Sequence, residues 1–238
     1  MRIPLSKRLL CCCNFIAPGD RVADIGCDHG YLGIHLLTQG VAASVIAADV
    51  NEGPLQSAVR NAVKFGVRDK MEFYLSDGVR NIPREFDVMV CAGMGADTMI
   101  SILEAAPWLK SGSYRLILQC QSKTPMLRQY LSDNGWRIME ETVLRDGRFL
   151  YTVMEVEFRP EHPRLSVGEY YFPPALLENP APELPEYYNR LLFSLRRAVG
   201  NQKEDADPQM AAALAELEKL TEDPALDFLK EKSYDNGQ

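Results

Sequence analysis

The sequence predicts an α/β protein: a mostly parallel seven-stranded sheet closed by a terminal antiparallel hairpin, with a C-terminal helical, coiled-coil-like appendage. Three observations predict it. Short apolar runs alternate with segments of helical period from residue 21 to residue 134. The first run, Val22-Ala-Asp-Ile-Gly26-Cys-Asp28-His29-Gly30-Tyr31-Leu-Gly33, turns through glycines and acids, and the next closes on Ala47-Ala48-Asp49. Two strand-like runs, 136–144 and 149–158, are then joined through Arg145-Asp146-Gly147-Arg148, where Asp-Gly signals a tight hairpin.

Each element has its own local cause. Residues 4–16 predict a short leading helix stopped by Pro18-Gly19-Asp20. Arg21–Ile25 reads as a strand, Tyr31–Gln39 as a helix, Ala43–Ala48 as a strand, Pro54–Phe65 as a helix ended at Gly66, and Met71–Leu75 as a strand. Phe86–Cys91 is the fourth strand, Thr98–Leu109 a helix, and Tyr114–Leu118 the fifth strand. Thr124 is the expected N-cap of a helix over Pro125–Asn134, with proline at the first helical position. Residues 1–160 are read as the catalytic domain. From 161 to 238 the expectation is an extended, stiff connector rich in proline, then helices over Tyr187–Val199 and Pro208–Leu220 separated by Gly200-Asn-Gln-Lys-Glu-Asp and pairing in antiparallel fashion. That pair reads either as a stabilising or dimerising hairpin or as a docking arm whose Arg190, Arg196 and Arg197 touch phosphates.

The turn after the first strand carries the chemistry. Glycines permit a tight turn and close ligand approach, the following helix offers free N–H groups, and Asp49, beside Val50, stands where a ribose-gripping acid is expected. In a dinucleotide-binding Gly-x-Gly-x-x-Gly turn the middle position is bare. Here it carries Asp28, which repels a pyrophosphate and tolerates or attracts a cation such as the sulfonium of S-adenosylmethionine. The competing reading is that Asp28 merely caps the helix near Gly30. A parallel sheet ending in an antiparallel hairpin is also the arrangement of Rossmann-like class I methyltransferases, whereas dehydrogenases continue in parallel.

Further candidates lie at the ends of other strands. Asp24, Gly26, Cys27 and Gly30 form the cofactor turn with Asp49 and Val50, and Asp77-Gly78 after the third strand is placed to meet an adenine amine. Ala92-Gly93-Met94-Gly95 after the fourth strand leaves bare backbone for a flat base, or forms a plain turn. Asp28 is the candidate for taking up charge, with His29 and Tyr31 as helpers; the alternative for His29, and the one the residue type favours, is a structural turn residue.

Charge and cysteines bound the partners. The net charge of −7 is not spread evenly: residues 1–160 hold eighteen basic and eighteen acidic side chains, and residues 161–238 hold eight against fifteen. A basic face on the first part is therefore compatible with nucleic acid. Cys11, Cys12, Cys13, Cys27, Cys91 and Cys120 contain no Cys-x-x-Cys pair and read as reduced, mostly buried thiols, so no metal site is expected. No apolar run reaches membrane-spanning length and no signal peptide is evident, so a cytoplasmic location is expected.

Asp24-Ile-Gly-Cys-Asp-His-Gly-Tyr-Leu, Gly53-Pro54, Ala92-Gly-Met-Gly, Leu116-Ile-Leu-Gln119 and Leu5-Ser-Lys-Arg-Leu together resemble the bacterial tRNA (adenine-22-N1)-methyltransferase family over about residues 4–158. The resemblance implies a Rossmann-like catalytic domain, a helical C-terminal coiled-coil domain, S-adenosylmethionine as cofactor and N1 of a tRNA adenine as acceptor. It departs at Ala96, where the family has glycine, at Gln119-Cys120-Gln121, where it has Gln-Pro-Asn, and at Asp49, which is often Glu. A methyltransferase of a small molecule or protein, a catalytically silent cofactor-binding protein, and an NAD dehydrogenase are the rival readings.

Overall fold

The computed structural model describes residues 2–201 and 207–230. Most of the expected break at 200–205 and the end of the tail, 231–238, lie outside the described residues. The elements are α1 (Lys7–Asn14), β1 (Arg21–Ile25), α2 (Tyr31–Thr38), β2 (Ser44–Asp49), α3 (Glu52–Lys64), β3 (Met71–Leu75), β4 (Val88–Gly95), α4 (Ala96–Glu104), β5 (Arg115–Ser122), α5 (Thr124–Asp133), β6 (Trp136–Asp146) and β7 (Phe149–Phe158). After these come α6 (Val167–Tyr171), α7 (Ala175–Glu178), α8 (Leu184–Asn201) and α9 (Pro208–Leu220).

The strands form one Rossmann-like sheet in the order β3-β2-β1-β4-β5-β7-β6. The pairs from β3 to β5 are parallel, while β7 inserts antiparallel between β5 and β6. Side chains alternate across each strand, so both faces are apolar. On β4, Met89 and Cys91 join the α4–α5 layer, and Val88 and Val90 join the α1–α3 layer. The hairpin turn is Gly147-Arg148, with Gly147 at φ +60.

Several expected boundaries move for physical reasons. Helix α1 starts at Lys7, because Ser6 is extended and its hydroxyl accepts from the Leu9 N–H. The expected helix over 98–109 splits into α4 and a 3-10 turn at Pro107–Ser111, as a proline cannot continue the helix. Thr124 is not the N-cap of α5: Lys123 takes that place in the left-handed region, at φ +58 with no side-chain cap bond, and Thr124 opens the helix. Strand β4 does not stop at Cys91. It runs to Gly95 by pairing with an equally extended β5, through register shifts on either side of Met94.

The connector is not an extended strap. It forms α6, with a Ser166/Glu169 capping box, and α7, and it buries Phe172 and Leu176. These join Leu184, Tyr188, Leu192, Leu195, Leu217 and Leu229 in a third core that also takes in Val143 of β6. The Tyr188 hydroxyl donates to the Leu217 carbonyl, joining α8 to α9. A fully buried pair, Arg128 of α5 and Glu141 of β6, closes the seam, and the same guanidinium donates to the Tyr170 and Tyr171 carbonyls.

Candidate active site at the carboxyl edge of the sheet

The turn from β1 to α2 is wound by three left-handed residues, Gly26 (φ +73), Asp28 (φ +50) and Gly30 (φ +70). The backbone N–H groups of Gly26 and Cys27 both donate to the Ala48 carbonyl, which pins the turn to the end of β2. At φ +73 Gly26 takes a backbone conformation that side-chain-bearing residues adopt only with strain, and the flexible end of Met94 lies beside it. The N-cap of α2 is Gly30, with no side-chain cap bond, so the helix-cap reading of Asp28 does not hold.

Asp28 instead holds a strained backbone and an exposed carboxylate. Aspartate tolerates the left-handed region better than most residues, and strain of this kind gathers at functional sites. Its side chain is 68% exposed and lies 3.7 Å from the His29 ring. The His29 and Tyr31 rings are 5.9 Å apart, so all three candidates share one lip. The turn-residue role of His29 belongs to its backbone, whose carbonyl accepts from Asn61, while its side chain faces Asp28.

Beneath that lip lie two buried acids. Asp49 accepts the Asp28 N–H at 3.0 Å on one oxygen and the Asn51 N–H at 2.8 Å on the other. Each carboxylate oxygen retains acceptor capacity. Val50 beside it is 63% exposed, an apolar face at the mouth. Asp24 is buried in the end of β1, and desolvation pushes its carboxyl up to about 7, opposed by the Gly33 N–H and reinforced by Asp49 and Asp28.

At the end of β4, Gly93 is at φ +82 and its N–H donates to the Gln119 side-chain oxygen at 3.1 Å. The same oxygen accepts from the Arg8 guanidinium at 3.0 Å, and the Gln119 amide donates to the Cys120 carbonyl. Arg8 covers Gly93 so closely that a β-carbon there would lie 2.9 Å from its Nη1. Ala92, Gly93, Met94 and Gly95 are thus bulged strand and not a turn. Arg8 and Gln119 were not among the site residues expected from sequence. The signal for Gln119 was a lone amide in the apolar run Leu116-Ile-Leu-Gln119, but nothing in the spacing ties it to Arg8.

Other candidates stand apart. The Asp77 carboxylate pairs with Arg80 and is exposed, and Gly78 (φ +59) packs against Ile102, so among the described residues neither touches the Asp28 lip. In the tail, Arg190 pairs with Glu186, Arg196 pairs with Glu218, and Arg197 lies over the Phe193 ring. All six cysteines are free thiols. Burial pushes Cys91 up to about 12 and raises Cys27 further, so these thiols are inert nucleophiles. Among the described residues no cluster of histidines, cysteines and acids could hold a metal, and no helix is long and apolar enough to cross a membrane.

Comparison with known proteins adds the lineage. Residues 5–154 match the family model described as a methyltransferase domain. The chain is 33% identical over 156 residues to the tRNA (adenine(22)-N(1))-methyltransferase of Bacillus subtilis, covering 65% of this chain and 66% of that protein, just under two thirds of its length. The crystal structure of the B. subtilis M1A22 tRNA methyltransferase superposes with a TM-score of 0.76 at 28% identity, covering 97% of this chain and 99% of the other. A Streptococcus pneumoniae candidate tRNA (m1A22) methyltransferase, solved in complex with S-adenosyl-L-methionine, gives 0.79 at 29% identity, over 91% and 99% of the two chains. A methyltransferase-domain match over residues 5–154, more than half of the chain, on a sheet of this order with this turn, places the protein in the methyltransferase-domain family.

Proposed function

We propose that the protein transfers the methyl group of S-adenosylmethionine to N1 of adenine 22 in tRNA, by direct in-line displacement. The observation that carries this reading is the left-handed Asp28, whose exposed carboxylate stands over a turn that phosphate binders keep bare. The residues present fit the cofactor. Gly26 and Gly30 carry no side chain where the turn winds, Asp49 can accept a ribose diol, exposed Val50 suits an adenine face, and Arg8 offers a carboxylate the guanidinium N–H groups that, among the described residues, Gln119 does not take. Asp77 is assigned to the adenine amine, a contact it can make from its exposed side. Bound S-adenosylmethionine supplies an electrophilic methyl on a sulfonium centre.

The protein needs no nucleophile of its own, because N1 of adenine carries the lone pair and positioning supplies much of the rate. The bulged backbone of Gly93, Met94 and Gly95, whose side-chain space is taken by Arg8 at Gly93 and by Ser122 at Gly95, is the edge against which the flat base is held once it is flipped from its neighbours. As N1 becomes bonded, positive charge spreads to the N6 amine. Asp28 accepts from N6–H, and this stabilises the transition state more than the ground state. His29 and Tyr31 flank that carboxylate and hold its orientation. A tRNA substrate also assigns the protein to the cytoplasm.

The test is incubation with methyl-labelled cofactor and unmodified tRNA, followed by nucleoside mass spectrometry. The reading expects 1-methyladenosine, absent when adenine 22 is replaced, and an affinity that falls with salt. Cofactor binding without transfer to tRNA would overturn it.

A further inference from the structure

The antiparallel insertion of β7 has a geometric result: its first residues stand at the edge where the parallel strands end, because Leu118 pairs with Met154 and the chain runs back from there. A hollow of about 240 Å³ opens at this place, lined by Gln121, Thr124, Phe149, Tyr151 and Tyr187 among others. Its walls come from β5, α5, β7 and α8, so both parts of the chain build it.

We propose that this hollow receives an unpaired nucleobase of the tRNA next to the target adenine; the inference rests on the methyl-transfer reading and adds to it the site's grip on a neighbouring nucleotide. Three observations support a base as occupant. Phe149 is 51% exposed at the hairpin end, a large aromatic with no core to fill. The Arg148 guanidinium lies over one face of the ring, 4.9 Å from its centre, and the Tyr151 ring lies tilted 6.1 Å away, so a base would stack on the opposite face of Phe149 with a cation behind the ring. Bases stack on such faces whatever their sequence, and phosphates are drawn to the cation. The hollow is also continuous with the methyl-transfer site: the Gln121 side chain lines it, and its amide nitrogen would be 3.5 Å from a β-carbon on Gly93. The polar wall of Gln121 and Thr124 can meet a base edge. Among the described residues no acid lines it, and Glu186, next to Tyr187 in sequence, is paired with Arg145 and Arg190.

The experiment uses the full chain with unmodified tRNA and with tRNA made abasic at each nucleotide flanking adenine 22. Phe149→Ala should raise KM for tRNA about ten-fold with cofactor affinity unchanged, and Phe149→Trp should restore it. One abasic tRNA should cost the wild type as much and cost Phe149→Ala nothing further. An unchanged KM, or penalties that multiply independently, would overturn the inference. A wild type that transfers no methyl to intact tRNA would instead overturn the functional reading beneath it.

Discussion

The side-chain oxygen of Gln119 accepts the Arg8 guanidinium at 3.0 Å, joining a helix at the start of the chain to the middle of the sheet's carboxyl edge. Gln119 is fully buried, and its oxygen also holds the Gly93 N–H, so one amide fixes both the cation and the bulge that faces it.

Arg8 is therefore expected to act on the cofactor. Arg8→Ala removes a charge-assisted contact worth about 1.5–3 kcal/mol, and should weaken S-adenosylmethionine binding about ten- to a hundred-fold in calorimetry. Gln119→Leu should give a smaller loss, since the charge stays but loses its orientation. Wild-type affinity in Arg8→Ala would remove Arg8 from the site.

Asp24 makes stability depend on pH in an unusual direction. Its folded carboxyl sits at about 7, above the unfolded value of 3.8, so between those values the folded state holds the extra proton. Stability contributed by the protonated form is present below about pH 4 and is lost as pH rises through 7. Asp24→Asn should abolish this slope, on the order of 4 kcal/mol across the window, in urea titrations of both proteins from pH 4 to 8. A parallel pH dependence in both would contradict it.

Arg128 and Glu141 should behave as a buried pair. Glu141→Leu strands a guanidinium with no exposure and should cost about 3–5 kcal/mol, whereas the double variant Arg128→Met/Glu141→Leu should recover part of it. Urea denaturation of the three proteins measures this. A double variant less stable than the single one would show that the Tyr170 and Tyr171 carbonyls depend on Arg128 more than Glu141 does.

The legible parts of the chain are those whose cause is local. Arg21–Ile25 and Met71–Leu75 are apolar runs bounded by turn residues, and they are strands to the residue. The tight hairpin that Asp-Gly signals, with its two-residue loop at Gly147-Arg148, and the acids Asp28 and Asp49 after strand ends follow from the same local pattern. What is not legible depends on distant partners. Gly93 and Gly95 look like turn residues until the extended β5 draws them into the sheet as a bulge. Prolines 173 and 174 look like an open strap until Phe172 and Leu176 find the third core. The bond between Arg8 and Gln119 spans 111 positions, beyond any periodicity.

The most direct test of the account is single-turnover methylation of tRNA by Asp28→Asn. Asparagine keeps the left-handed turn and the shape of the side chain but removes the charge. The account predicts that the methyl-transfer rate falls about a hundred-fold while cofactor affinity is retained. A transfer rate equal to wild type would contradict it.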